Sequence, residues 1–252
     1  MMVCMPLIGG RLAALMLSRY QWHDLEAREG YIAKGKIDSL FGPEFWHLVR
    51  GKTVIDFGCG HGDEAIDIAR YGAARVIGIE RPGKSLDIAR KNLMRAGITN
   101  CDFVTETKER ADIVLSIDSF EHFDHPDRIL KFMAGLLKPD GRVIASFGYP
   151  WYHPLGGHLP LFPWGHLVFT ERSLMTWRSK FKTDGATRFE EMEGGLNKMS
   201  IRKFKRLISE SPLQIETLKT VPIRAARRLH CGLTREFFTS LIQVTLKHRR
   251  PE

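Results

Sequence analysis

The sequence predicts an α/β fold: a mostly parallel sheet of seven strands with helices on both faces. Three observations carry this. Short apolar, β-branched runs alternate with helical periods from Lys52 to Phe147. A glycine-rich turn, Gly58-Cys59-Gly60-His61-Gly62, joins the first run to a helix. Two further strand-like runs follow between Leu213 and Leu246, near the end of a chain of 252 residues. A hydrophobic fraction of 43% is ordinary for a globular domain and excludes a disordered tract.

Each element has its own signal. Lys52 to Phe57 (KTVIDF) reads as a buried strand, and Ala65, Ile66 and Ala69 keep a helical period behind acidic Asp63 and Glu64, which suit a helix N-terminus. Arg75 to Ile79 is a second strand, closed by Glu80. Gly83 to Ala96 is a helix stopped by Gly97. Cys101 to Thr105 and Asp112 to Ile117 are the third and fourth strands. Pro126 to Leu137 is a helix with proline in its first turn, Lys138-Pro139-Asp140-Gly141 a turn, and Arg142 to Phe147 the fifth strand. Residues 148–170 hold aromatics, histidines, glycines and prolines with no steady period. Helices are expected over 171–181 and 200–210, and strands over Leu213 to Val221 and Phe237 to Leu246. The chain therefore reads as one domain over 1–252. An N-terminal helical lid takes 1–50, a cofactor-binding core 51–147, a substrate-side insertion 148–200 and the C-terminal part of the sheet 201–252.

Composition narrows the function classes. The four cysteines, Cys4, Cys59, Cys101 and Cys231, form no C-x-x-C pair, which argues against a zinc knuckle or disulfide framework and fits a reducing cytoplasm. The net charge of +9 gathers late, around Arg202 to Arg206, Arg224 to Arg228 and Lys247 to Arg250. It reads first as a solvated basic face and second as a nucleic-acid surface. Met1 to Leu17 is apolar except for Arg11 and too short to span a bilayer, so it is expected to be a buried or substrate-covering helix.

The chemistry centres on Val54 to Gly62, V-I-D-F-G-C-G-H-G. Glycines let a backbone turn sharply and a ligand approach closely. A dinucleotide loop would be G-x-G-x-x-G around a pyrophosphate. Here Asp63 stands in place of the third glycine and Asp56 precedes the first, and both would repel phosphate. S-adenosylmethionine carries an ammonium and a sulfonium and no phosphate, so it suits such a pocket. Glu80, at the end of the second strand, can accept both ribose hydroxyls.

With these residues in place, the stretch 53–147 resembles the core of class I S-adenosylmethionine-dependent methyltransferases, a Rossmann-like fold. The D-x-G-x-G-x-G loop, the acidic end of strand two, D-I-V-L-S-I and L-L-K-P-D-G-R-V-I-A-S fall in family order. The resemblance implies that Asp56, Gly58, Cys59, Gly60, Glu80 and Arg81 bind the cofactor. It implies that Ser116 and Ile117 line its methionine side. Glu106 or Thr107 would reach the adenine, and Tyr31 would cover the site. His61 departs from the family's usual Thr or Ser.

Beyond strand four stands D-x-x-E-H. On a helix, Asp118, Glu121 and His122 would share one face and could hold a divalent cation. The string is similar to the E-x-x-E-H of ubiquinone-biosynthesis O-methyltransferases, with a shorter first carboxylate. A cation is possible but not favoured; His122 alone, with Glu121 or His158, is an equal candidate for general base. Tyr149, Trp151, Tyr152, Phe162, Trp164 and Phe169 either wall a pocket for a flat, greasy acceptor or form a satellite core. The function expected is methyl transfer to a small molecule, with oxygen the favoured atom. RNA or protein methylation, and cofactor binding without transfer, are the alternatives. No N/D-P-P-Y/F string supports amino methylation. Oligomeric state is open, with a homodimer possible.

Overall fold

A strand buried on both faces needs apolar side chains along its length, and β1 (Thr53–Phe57) is such a strand, with Asp56 as its buried polar exception. The computed structural model describes residues 7–21, 35–192 and 194–249. Its sheet has seven strands in the order β3-β2-β1-β4-β5-β7-β6. They are β1, β2 (Arg75–Ile79), β3 (Cys101–Val104), β4 (Ala111–Ile117), β5 (Leu137–Gly148), β6 (Leu213–Pro222) and β7 (Thr239–His248). The first five pair in parallel, and β7 lies antiparallel between β5 and β6. This is the seven-stranded, mostly parallel sheet that the sequence predicts.

Alternation along the strands divides the interior into two cores. Val54, Val76, Ile113 and Leu115 face one way. There they meet α2 (Lys36–Phe41), α3 (Glu44–Val49), α4 (Asp63–Arg70) and α5 (Lys84–Ala96). Ile55, Ile77, Val114 and Val143 face the other way, toward α6 (Pro126–Leu136) and α9 (Ile201–Ser209). The sequence direction reverses at β1, which has β2 on one side and β4 on the other. An open parallel sheet offers its crevice beyond the carboxyl ends of the strands at such a point.

The third core belongs to the insertion. Trp151, Phe162, Phe169, Trp177 of α8 (Glu171–Arg178) and Phe189 pack together with Ala13 and Leu17 of α1 (Gly10–Leu17). The short helix α7 (Gly165–Val168) precedes α8. Of the two roles open to these aromatics, the satellite core is the one the structure shows. The chain leading into α1 is stitched to the insertion by a bridge between Ile8 and Phe169 and by a hydrogen bond from Thr170 N–H to Ile8 O at 2.8 Å.

Three expectations are corrected. Lys138 to Gly141 is no turn: β5 begins at Leu137 and runs through it, with an irregular register opposite Ala111 and Ile113. A side chain at Gly141 would meet Ala111 O at 2.9 Å, so the close approach requires glycine there. β7 starts at Thr239, two residues later than predicted, because Phe237 and Phe238 close the helical turn α10 (Arg235–Phe238). After β4, only a single 3₁₀ turn, Phe120–His122, forms where a helix would have aligned D-x-x-E-H.

Candidate cofactor and acceptor site

The loop after β1 is shaped by contacts only glycine permits. Gly58 sits at φ +78°, and a Cβ there would lie 2.8 Å from Ser119 Oγ. Gly62, at φ +84°, would press into the Phe103 ring at 2.3 Å. Glu80 ties this loop to the end of β2. Its Oε2 accepts the Gly60 N–H at 2.8 Å, and its Oε1 accepts the Arg81 N–H at 2.9 Å. Nothing lies within 4 Å of the place a Gly60 Cβ would take, so that side of the loop is open to a ligand.

A cavity of about 630 Å³ opens at the carboxyl ends of β1, β2 and β4. Gly58, Glu80, Arg81 and Thr105 contribute to one part of its wall, and Asp118, Ser119 and His122 to another. Phe57, Phe123, Ile129 and Phe132 supply apolar surface.

The electrostatics are dominated by carboxylates. Asp56 is buried, its Oδ2 has no hydrogen-bond partner, and burial pushes its pKa up to about 8, helped by Glu64 and Glu80 and opposed by Lys36. Lys36 reaches over the loop from α2. Its ammonium lies 3.4 Å from Glu64 and 3.2 Å from Asp118. Burial works against its charge, but the two carboxylates prevail and its pKa is raised. An orphaned buried carboxyl oxygen, an open glycine turn and a carboxylate at the end of β2 fit a cationic nucleoside such as S-adenosylmethionine.

His122 has a defined tautomer. Its Nδ1 is 2.7 Å from Gly195 O, and a carbonyl only accepts, so Nδ1 carries the proton. In the neutral ring Nε2 then keeps its lone pair. The His158 ring sits 5.6 Å from the His122 ring. Burial lowers the His158 pKa to about 4, so it is neutral at physiological pH.

The structure brings together Gly58, Glu80, Arg81, Asp118 and His122 around one cavity. Cys59 turns its side chain into the core, where burial raises the thiol pKa, and it meets the loop through its backbone. Ser116 and Ile117 are buried, and the next two residues, Asp118 and Ser119, take the cavity wall. Thr105 lines the cavity where Glu106 was expected, and Glu106 is solvent-exposed. Tyr31 lies outside the described residues. The three residues of the cation reading diverge. Asp118, at φ +49°, pairs with Lys36; Glu121 is buried and accepts the Gly148 N–H at 3.3 Å; His122 turns to Gly195. As arranged they do not fit a shared cation, and among the described residues no group of three or more His, Cys, Asp or Glu does. Lys36, Thr105 and Ser119 went unnoticed in the sequence. A lone lysine at the start of a short helix carries no local signal, and only the fold brings it over the loop.

A family model described as a methyltransferase domain matches residues 25–218. The chain belongs to this family. It is 32% identical over 145 residues to the ubiquinone biosynthesis O-methyltransferase of Pectobacterium atrosepticum, half of this chain and 55% of that enzyme. The chain thus spans about half the length of the curated relatives it matches. In fold it is similar to magnesium protoporphyrin IX methyltransferase from Synechocystis, solved with bound SAH, at TM-score 0.54 and 14% identity over 93% of this chain and 94% of that one. It is equally similar to the cyclase SpnF, at TM-score 0.56 and 14% identity over 95% and 93%. The core 53–147 therefore has the relatives its motifs pointed to, while fold alone does not choose between methyl transfer and another reaction.

Proposed function

We propose that this domain transfers a methyl group from S-adenosylmethionine to an oxygen of a small, flat or hydrophobic acceptor, with His122 as general base. The observation that carries this reading is the shared cavity: the glycine loop and Glu80 form part of its wall and His122 another. When bound, S-adenosylmethionine supplies an electrophilic methyl carbon, and the C–S electron pair leaves with the thioether. Glu80 would hold the ribose hydroxyls, and Lys36, which pairs with Asp118 and Glu64, would face the cofactor's carboxylate. The acceptor rests against Phe57, Phe123 and Phe132. Nε2 of His122 would take the proton of the acceptor oxygen, while Gly195 O holds the imidazole in place. Glu121 does not line the cavity; it ties the 3₁₀ turn to the end of β5 and so positions His122. The named activity of the curated O-methyltransferase relatives supports oxygen as the accepting atom.

The test is a screen of phenols and catechols read by S-adenosylhomocysteine release. His122→Ala should lower turnover about 100-fold or more while leaving cofactor affinity unchanged. Full turnover in that variant would remove His122 as the base. Activity should survive EDTA treatment; loss restored by Mg²⁺ would revive the cation reading at Asp118.

A further inference from the structure

The connection between β6 and β7 presents a chemistry the site does not use. Residues 223–235, IRAARRLHCGLTR, contain no acidic residue. Arg224, Arg227 and Arg228 stand exposed on a 3₁₀ segment, Arg224–Leu229, in which no residue is buried. Leu229 is 58% and Leu233 93% exposed beside them. The acidic neighbour, Glu236, is occupied: its carboxylate accepts the N–H groups of Ile201 and Arg202 at 3.0 and 2.8 Å, at the start of α9.

A second element repeats the pattern. Arg11 on α1 and Arg19 just after it are exposed, and so are Leu7 at 85%, Leu12 at 58% and Leu15 at 63%. The sequence has no acidic residue before Asp24. Both elements are anchored on the same insertion: α1 through the Phe169 core, and α10 through ring contacts of Phe237 with Tyr152 and of Phe238 with Trp164. β6 ends and β7 begins at the end of the sheet where β5 closes with Gly148, which is the end where the cavity opens.

We propose that the β6–β7 connection, with α1 in support, docks on an anionic lipid surface. Exposed leucines interleaved with arginines match an interface where apolar side chains enter the acyl boundary and cations meet headgroup phosphates. Leucine and arginine without exposed aromatics fit this better than single-stranded nucleic acid, which is held by stacking. Docking is peripheral, since among the described residues no helix is long and apolar enough to cross a membrane.

The full chain is tested by co-sedimentation with vesicles of phosphatidylglycerol and, separately, of phosphatidylcholine. Binding should be confined to the anionic vesicles and weaken as salt rises. The Leu229→Glu/Leu233→Glu pair should reduce it about tenfold, with S-adenosylmethionine affinity and melting temperature unchanged. Met94→Glu, which alters an 81% exposed side chain on α5, should bind like the parent. Equal binding to both vesicle types, a parent protein that stays in the supernatant, or a leucine pair that binds undiminished would each overturn the proposal. So would a tRNA gel shift lost in the leucine pair while vesicles go unbound.

Discussion

Glu121 is a buried carboxyl whose pKa is pushed up to about 8, first by burial and then by the nearby Asp118 charge. In the unfolded chain it loses its proton near the ordinary value of 4.5. Between those two values the unfolded state holds fewer protons than the folded one, so this group makes stability fall as pH rises through that window. Glu121→Gln keeps an oxygen for the Gly148 N–H and removes the titration. It should stabilise the protein by about 1–3 kcal/mol at pH 8 and by little at pH 5, read by urea unfolding at both. A pH-independent difference would mean the carboxyl titrates normally. Glu80 acts at the glycine loop through both of its oxygens. Glu80→Ala removes the Gly60 tie and, in the proposed role, the acceptor for two ribose hydroxyls, and should weaken S-adenosylmethionine binding by about 1.5–3 kcal/mol in calorimetry. An unchanged Kd would place the ribose elsewhere.

Elements differ in how openly the sequence announces them. The parallel strands are legible because burial on both faces demands continuous apolar runs, as in RVIGI and DIVLSI. The β5 boundary is not, because Lys138-Pro139-Asp140-Gly141 has turn chemistry, yet Gly141 lets the strand pass close to Ala111. D-x-x-E-H has helical spacing, but Asp118 takes a left-handed conformation and divides the string. The glycine loop is legible in composition, while the reason for its last glycine is tertiary: the ring of Phe103, from β3, fills the space. Gly62→Ala should therefore destabilise by about 1–3 kcal/mol in thermal or denaturant unfolding, from the positive φ and the ring contact together. A neutral effect would show that Phe103 swings aside without cost. At α9, Ser200 Oγ accepts the Lys203 N–H at 3.1 Å as an N-cap. Ser200→Ala should cost about 1 kcal/mol without touching the cavity.

At the scale of the molecule, the cavity draws on parts of the chain that are distant in sequence. Gly58 comes from the loop after β1, Glu80 from the end of β2, and Asp118 and His122 from beyond β4, while Lys36 of α2 pairs with Asp118 at the wall. The two halves of the site are unequally legible for this reason. The cofactor half is compact in sequence, Asp56 to Glu80, and one motif reveals it. The acceptor half depends on where the 3₁₀ turn and Gly195 meet, which no local pattern encodes. A ligand that touches all of these can bind only the folded chain, so it should stabilise the whole domain. At 100 times its Kd the gain is about 2.7 kcal/mol, or roughly 5–10 °C in Tm for a domain of this size. Lys36→Met should raise the Kd, and so shrink the shift at fixed cofactor concentration, because the site loses the cation facing Asp118 and Glu64. The apo melting temperature of that variant separates the two roles of Lys36. A Tm that falls as far as the cofactor shift shrinks makes the lysine a structural clasp, whereas an apo Tm near the parent's with a diminished shift makes it a ligand of the cofactor.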